Sequence, residues 1–420
     1  IRALGGLAEI EQGDLGDELP LATQLFPRLG SRAVIYVAML LHDMAKGRDE
    51  DHSIAGARIA HRLCPRLGLS PAETETVSWL VRHHLLMSDV AQRRDLSDPK
   101  TIRDFADIVQ SPARLRYLLV LTVADIRAVG PGVWNGWKGG LLRQLYNETE
   151  QLLSGVNPDI SRTRRAEAIK NDVAQMLPEQ DSTFLSMHYD SYWVSMDYET
   201  IEDHAALVRD RAKSKDAISF HARHDHFRGV TRMSIFAEDH PGLFSRLTGA
   251  VAVAGLSIAD AKIFTTIDGF ALDTLWLQDE HAQAIDDPSR LERLERAIID
   301  ALQGKLVLPA ELAHRRRGKT KADAFKVPPD VVIDNDASEM YTLVEVSARD
   351  RVGLLYDLSR TLVAQNVRIS SAQIATFGEK AVDVFYVRDT FGLKIRSQDK
   401  LSKIKDALYQ IIQPQRPRSR

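Results

Sequence analysis

Residues 38–53, AMLLHDMAKGRDEDHS, lead an apolar run into adjacent His42 and Asp43, then Lys46 and His52. A His-Asp doublet alone arises by chance in roughly every chain or two of this length, so its setting has to carry the weight. The residues before it are apolar nearly all round a helical repeat, which predicts burial. An unpaired carboxylate at the end of a buried helix would be costly, so something positive must meet Asp43. A divalent cation would do so, and neutral imidazole with carboxylate suits Mg or Mn, with Fe or Zn as alternatives.

Asp125 poses the same question. It lies four residues after Leu121 and seven after Leu118, on the apolar stripe of its own helix. A salt bridge to Arg116, Arg127 or Lys46 would answer it without a metal. His83 and His84 follow Trp79 and Leu80 by four on a helix that otherwise buries apolar surface. Each taken singly reads as a satisfied core or surface histidine, and His52 alone reads as a loop residue or helix cap.

The elements that must hold these side chains are helical. SRAVIYVAMLLHDMAKG reads as a buried helix stopping at Gly47, and SPAETETVSWLVRHHLLMS opens on a Ser-Pro start with Glu73 in its first turn. ARLRYLLVLTVADIRAVGPG is a third, closed by Gly130 and Pro131. Residues 1–150 form the first expected domain, and 151–227 a helical or irregular connecting extension.

From about residue 228 an internal repeat appears. MSIFAEDHPGLFSRLTGAVAVAGLSIADAKIFTT (233–266) matches LVEVSARDRVGLLYDLSRTLVAQNVRISSAQIAT (343–376). Leu243, Leu247 and Val251 recur as Leu354, Leu358 and Leu362, four apart on one helical face. Asp239 and Gly242 recur as Asp350 and Gly353, and the helix end Gly255 recurs as Asn366, the two residue types that best tolerate a left-handed cap. Each copy reads strand, helix, strand, turn, strand, helix, which implies a βαββαβ unit. The expected boundaries are 228–310 and 339–413, separated by a basic, Pro-containing linker at 311–338 and followed by a disordered tail at 414–420.

The chain has 420 residues, 44% hydrophobic and 27% charged, with net charge -3 and one cysteine, Cys64. That length implies several domains. The charge balance gives no reason to expect nucleic acid or a membrane surface as partner. No apolar run approaches the roughly 20 residues that span a bilayer. A lone cysteine excludes a disulfide framework and favours a reducing cytoplasm. Ile1 is not an initiator Met and already stands in an apparent helix, so the chain reads as part of a longer protein.

HDMAKG, DHSIAGA, HH and ADI together resemble the HD superfamily of metal-dependent phosphohydrolases. The resemblance implies His42, Asp43 and Asp125 as primary metal ligands, with His52, His84 and His83 as second-site candidates. Asp43 would also serve catalysis, and Lys46 would offer a cation to the substrate phosphate. That family's first histidine precedes the doublet by a few tens of residues. Residues 1–41 contain none, so it is expected upstream of Ile1. A metal-activated water attacking a phosphodiester or pyrophosphate is the implied chemistry.

The repeated copies resemble ACT domains, which bind amino acids. Their loops EDHPGLF and RDRVGLL place Asp239, Pro241, Gly242, Leu243, Asp350, Gly353 and Leu354 where a strand gives way to a helix, and N–H groups there suit a carboxylate. A plain turn with an N-cap Asp and Pro241 in the first turn is the competing account. The fold class implied is an all-α HD-type domain followed by two α+β ferredoxin-like ACT domains.

The whole order, with LLHDMAKG, HHLLMS, AQRRD and WNGWKGGLLRQLY, resembles the C-terminal part of the family of bifunctional uridylyltransferase/uridylyl-removing enzymes of bacterial nitrogen control. This implies removal of uridylyl groups from a PII-type signal protein, glutamine as effector, and a homo-oligomer through the ACT domains. No nucleotidyltransferase signature precedes His42. A guanosine-tetraphosphate hydrolase with ACT control is one alternative, but only about 80 residues separate the two regions, too few for its synthetase domain. A catalytically inactive glutamine sensor is the other.

Overall fold

A computed structural model describes residues 2–130, 133–155, 158–213, 217–317, 327–377 and 379–413. The chain divides into two compact units, Ile1–Pro158 and Asp159–Arg420. Among the described residues no helix is long and apolar enough to cross a membrane.

The first unit is helical: α1 (Arg2–Gln12), α2 (Pro20–Leu25), α3 (Arg32–Leu41), α4 (His52–Leu63), α5 (Pro71–His83), α6 (Leu86–Arg93), α7 (Pro99–Val109), α8 (Pro112–Val129) and α9 (Gly136–Leu153). Helix α8 is the axis. It packs against α1, α2, α3, α5, α6, α7 and α9, and its residues 117–124 are buried almost without a break. Ser111 caps it, Pro112 opens it and Gly130 closes it. Arg127 ties it to Glu9 at 2.9 Å and Glu18 at 3.1 Å.

Helix α5 starts as the sequence implies, with Ser70 and Glu73 forming a reciprocal capping box around Pro71. Helix α3 ends earlier than expected, at Leu41 rather than Gly47. Beyond it the hydrogen bonds tighten to three-residue turns, Met44 N–H to Leu41 O at 3.1 Å and Lys46 N–H to Asp43 O at 3.0 Å. The doublet therefore sits on a turn rather than inside a continuous helix.

The second unit opens with α10 (Pro158–Met176), α11 (Asp190–Ser195) and α12 (Tyr198–Lys213). The first copy follows as β1 (Ile218–Asp225), β2 (Val230–Glu238), α13 (Leu243–Ala254), β3 (Ser257–Thr265), β4 (Phe270–Gln278) and α14 (Pro288–Leu302). After α15 (Leu308–Arg317) the second copy runs β5 (Asp330–Asp334), β6 (Thr342–Arg349), α16 (Leu354–Ala364), β7 (Val367–Phe377), β8 (Lys380–Asp389) and α17 (Gln398–Ile412). Among the described residues eight strands form one sheet in the order β1-β2-β4-β3-β7-β8-β6-β5.

The expected α+β fold class is present, with one correction to strand order. The outer strand of each copy comes before the shared motif, so each copy reads ββαββα rather than βαββαβ. The first copy draws β1 from the stretch expected as a connecting extension, and the second draws β5 from the expected linker, which also carries α15. Both strands lie at sheet edges, and β5 has five residues while no residue of β1 is fully buried. Edge strands carry weak apolar patterning, which hid them. Residues 318–326 of the linker and the tail at 414–420 lie outside the described residues.

The two copies share one core. Leu243, Leu247, Val251, Leu354, Leu358 and Leu362 are all buried in it. Gly255 and Asn366 both adopt the left-handed conformation, φ 78° and 55°. The copies join through β3 and β7, with Asp260 opposite Gln373 and Lys262 opposite Ser371. They also join through α13 and α16, where the Thr248 and Ser359 hydroxyls meet at 3.3 Å.

Candidate metal centre

Four elements of the helical unit bring their ends together. The α3 terminus supplies His42 and Asp43, the first residue of α4 is His52, the residue closing α5 is His84, and α8 carries Asp125. Asp51 fixes the start of α4, its side chain accepting from the N–H groups of Ser53 at 2.9 Å and Ile54 at 3.0 Å. Gly56, one turn further, lets α4 approach closely: a Cβ there would lie 2.9 Å from Val81 Cγ1 and 3.8 Å from the His42 carbonyl oxygen.

The imidazoles are oriented by backbone. His42 Nδ1 lies 2.7 Å from Met39 O and His84 Nδ1 lies 2.8 Å from Val81 O. A carbonyl can only accept, so Nδ1 carries a proton in both rings, which leaves each Nε2 to face the carboxylates. His42 Nε2 faces Asp125 Oδ1 at 3.2 Å and Asp43 Oδ2 at 3.6 Å. Asp43 Oδ1 faces His84 Nε2 at 3.8 Å and His52 Nε2 at 3.9 Å. The ligand atoms of Asp43, His52 and His84 all lie within 4.8 Å of one another.

Electron-rich atoms therefore converge on Asp43, and a cation is what such a set accepts. Burial works against a charged His42, but the Asp125 hydrogen bond and charge outweigh it and raise its pKa. At His84 burial wins and the pKa is lowered, so this ring stays a neutral donor. Burial opposes ionisation of Asp43 too, yet the Lys46 hydrogen bond and the His42 charge hold its pKa low. Imidazole nitrogen with carboxylate oxygen fits a divalent ion of the Mg, Mn, Fe or Zn type.

Asp125 meets His42 and none of the basic partners weighed against a metal. Arg127 pairs with Glu9 and Glu18, Arg116 reaches the Pro112 and Arg28 carbonyls, and Lys46 Nζ bonds Asp43 Oδ2 at 2.7 Å. Asp43 and Asp125 are half-buried rather than buried, whereas His42 and His84 are buried. His83 turns elsewhere: its ring lies against Trp79, centroids 5.0 Å apart, and burial beside Arg82 and Arg114 lowers its pKa. As a second-site candidate it is corrected to a residue packed on tryptophan.

In the sheet unit, Gly242 and Gly353 stand at the N-caps of α13 and α16 in left-handed conformation, φ 88° and 72°, with no side-chain cap. Asp239 does not cap; its Oδ2 accepts from Thr265 Oγ1 at 3.0 Å. Asp350 donates its backbone N–H to Glu379 O at 2.8 Å. Pro241 is exposed and precedes the helix, while the Leu243 and Leu354 side chains enter the core. Two residues escaped the sequence reading, Asp273 on β4 and Asp383 on β8, 1% and 2% exposed. Their recurrence in ALDTLWLQD and AVDVFYVRD was the available signal.

Comparison with known proteins matches residues 19–111 to the HD domain and residues 330–416 to an ACR9-like, ACT-like domain. The HD match includes His42, Asp43, His52 and His84 and ends before Asp125. Bifunctional uridylyltransferase/uridylyl-removing enzymes are similar along nearly the whole chain. That of Azospirillum brasilense is 50% identical over 412 residues, 97% of this chain and 44% of its own length. That of Bradyrhizobium diazoefficiens is 47% identical over 418 residues, 98% of this chain and 45% of its own length. That of Gluconobacter oxydans is 45% identical over 415 residues, covering 97% and 44%. The chain thus spans a little under half the length of these relatives. It carries an HD domain followed by an ACT-like domain, in a sequence similar throughout to the C-terminal part of the bifunctional uridylyltransferase/uridylyl-removing enzymes.

Proposed function

We propose that the helical unit is a metal-dependent phosphodiesterase that removes uridylyl groups from a tyrosine of a PII-type signal protein, under control of glutamine bound in the sheet unit. The observation that carries the reading is the convergence of the His42, His52 and His84 Nε2 atoms on Asp43, with the Asp125 carboxylate 3.2 Å from His42 Nε2. The printed name of the relatives, uridylyl-removing, supports the choice of substrate.

A divalent ion held by Asp43, His42, Asp125, His52 and His84 would supply Lewis acidity and an activated water. The protein supplies the rest. Carbonyl bonds at Met39 and Val81 lock the two buried imidazoles, so no reorganisation is needed as charge develops. Lys46, exposed and bound to Asp43 Oδ2 at 2.7 Å, would offer its cation to a substrate phosphate.

The test is metal quantification beside hydrolysis of bis(4-nitrophenyl) phosphate and release of uridine monophosphate from uridylylated PII. Wild-type protein is expected to hold metal and hydrolyse both. Asp43→Ala is expected to lose metal and hydrolysis while still binding glutamine. A metal-free, inert wild-type chain that binds glutamine would leave only the sensor reading.

A further inference from the structure

Each stretch of chain that carries a ligand of the metal centre also carries an exposed apolar side chain. Leu40 stands two residues before His42 and Met44 directly after Asp43. Ile54 stands two residues after His52 and Leu85 directly after His84. Val129 closes α8 one turn beyond Asp125, on the same helical face. These five side chains are 40% to 65% exposed. Successive Cα atoms are about 3.8 Å apart and a helix rises about 1.5 Å per residue, so each of the five has its Cα within about 8 Å of a ligand's Cα.

Single exposed apolar residues are ordinary on any surface. Here they are concentrated. Among the described residues of the helical unit, only Leu67 and Ile108 are comparably open large apolar residues elsewhere, and both are remote in sequence from every ligand. An apolar cluster with a charged border has the anatomy of a protein interface. Lys46, Arg48, Asp49 and Glu50, exposed in the loop between Met44 and Ile54, supply that border. The centre itself is shallow: the Asp43 side chain is 37% exposed and that of Asp125 26%. An ester carried on a protein surface can reach such a centre without threading a deep pocket.

We propose that Leu40, Met44, Ile54, Leu85 and Val129 form the docking surface for the protein that bears the phosphodiester, covering an apolar patch of that protein beside its modified side chain. This rests on the phosphodiesterase reading and adds to it the surface that recognises the substrate. The occupant is the substrate protein because the apolar side chains gather at the reacting centre, which any protein-borne ester must approach. A small diester touches the centre alone and gains nothing from the five. A protein substrate buries them, and that burial raises kcat/KM for the protein only. The five set specificity, while His42, Asp43, His52, His84 and Asp125 hold the ion.

Paired substitutions in the whole chain test this: Leu40→Gln with Met44→Gln, and Ile54→Gln with Leu85→Gln, glutamine being a good helix former. The quantity measured, with L-glutamine present, is kcat/KM for release of uridine monophosphate from uridylylated PII divided by kcat/KM for bis(4-nitrophenyl) phosphate. Metal content and circular dichroism accompany each variant, and Val129→Gln gives a third measurement should either pair fail to fold. The ratio is expected to fall about tenfold or more in both pairs, while Leu67→Gln with Ile108→Gln keeps the wild-type ratio. A wild-type ratio in either folded pair, or an equal fall in the Leu67 and Ile108 control, would overturn the proposal and leave the phosphodiesterase standing. A wild-type dimer that the pairs dissolve, with the ratio unmoved, would overturn it in favour of a second copy on this surface. A wild-type chain that cleaves the small diester but not uridylylated PII, or cleaves neither, would overturn the substrate reading as well.

Discussion

His42 shows how a single side chain is drafted into a site. Its Nδ1 is committed to the Met39 carbonyl, so its Nε2 must face Asp43 and Asp125. The doublet was legible because a charged pair after an apolar run demands a partner. His84 and His83 were not separable from sequence, since adjacent helical residues differ only in direction and the end of α5 decides which one faces Asp43. Asp273 was passed over because a lone Asp in a strand looks ordinary until its lack of partners is seen. Lys46 has a sharper expectation. Its contact with Asp43 is exposed, so Lys46→Ala should keep the metal and lower hydrolysis about tenfold to a hundredfold, the worth of one charge-assisted hydrogen bond. Metal content against turnover checks it, and loss of metal would reassign Lys46 to holding Asp43 in place.

Helices and strands set the tolerances around those side chains. Gly56 allows α4 and α5 to touch, with Val81 Cγ1 only 2.9 Å from where a Cβ would stand. Gly56→Ala should cost about 1–3 kcal/mol by overpacking and move His52 away from Asp43, seen as a lower Tm and weaker metal affinity. In the sheet, burial with the Asp350 charge raises the Asp383 carboxyl to about 8, against an ordinary value of about 4 in an unfolded chain. Between those values the folded chain holds the extra proton, so the contribution is full below the lower value and is lost as pH rises toward the upper one. Asp383→Asn should therefore gain on wild type from pH 5 to 8 and level off above, in thermal melts at each pH. A constant difference would place the ionisation elsewhere. Element ends were less legible than element cores: α3 stops where the hydrogen-bond spacing changes, and β1 and β5 advertise little because only one side of each is paired.

At the scale of the molecule, two cores under separate stretches of chain predict two responses. An ion present at a hundred times its dissociation constant stabilises the helical unit by about 2.7 kcal/mol. For a unit of this size that corresponds to roughly 5–10 °C. Chelation should lower a transition belonging to that unit by this amount, while glutamine raises one belonging to the sheet unit, both read by calorimetry with and without each ligand. The division into a helical half and a repeated α+β half was legible because periodicity changes near residue 228 and the repeat can be aligned. The joining of the copies is more lopsided than their symmetry suggests. Eight facing residue pairs link β2 to β4, but three link β3 to β7, while on the opposite side Gly249 lies hard against Leu308 and Tyr356. Pulled apart, such a body would open like a book, its pages parting at the strands while the helices serve as spine. Deuterium uptake should accordingly be faster at residues 260–262 and 371–373 than along β2 and β4.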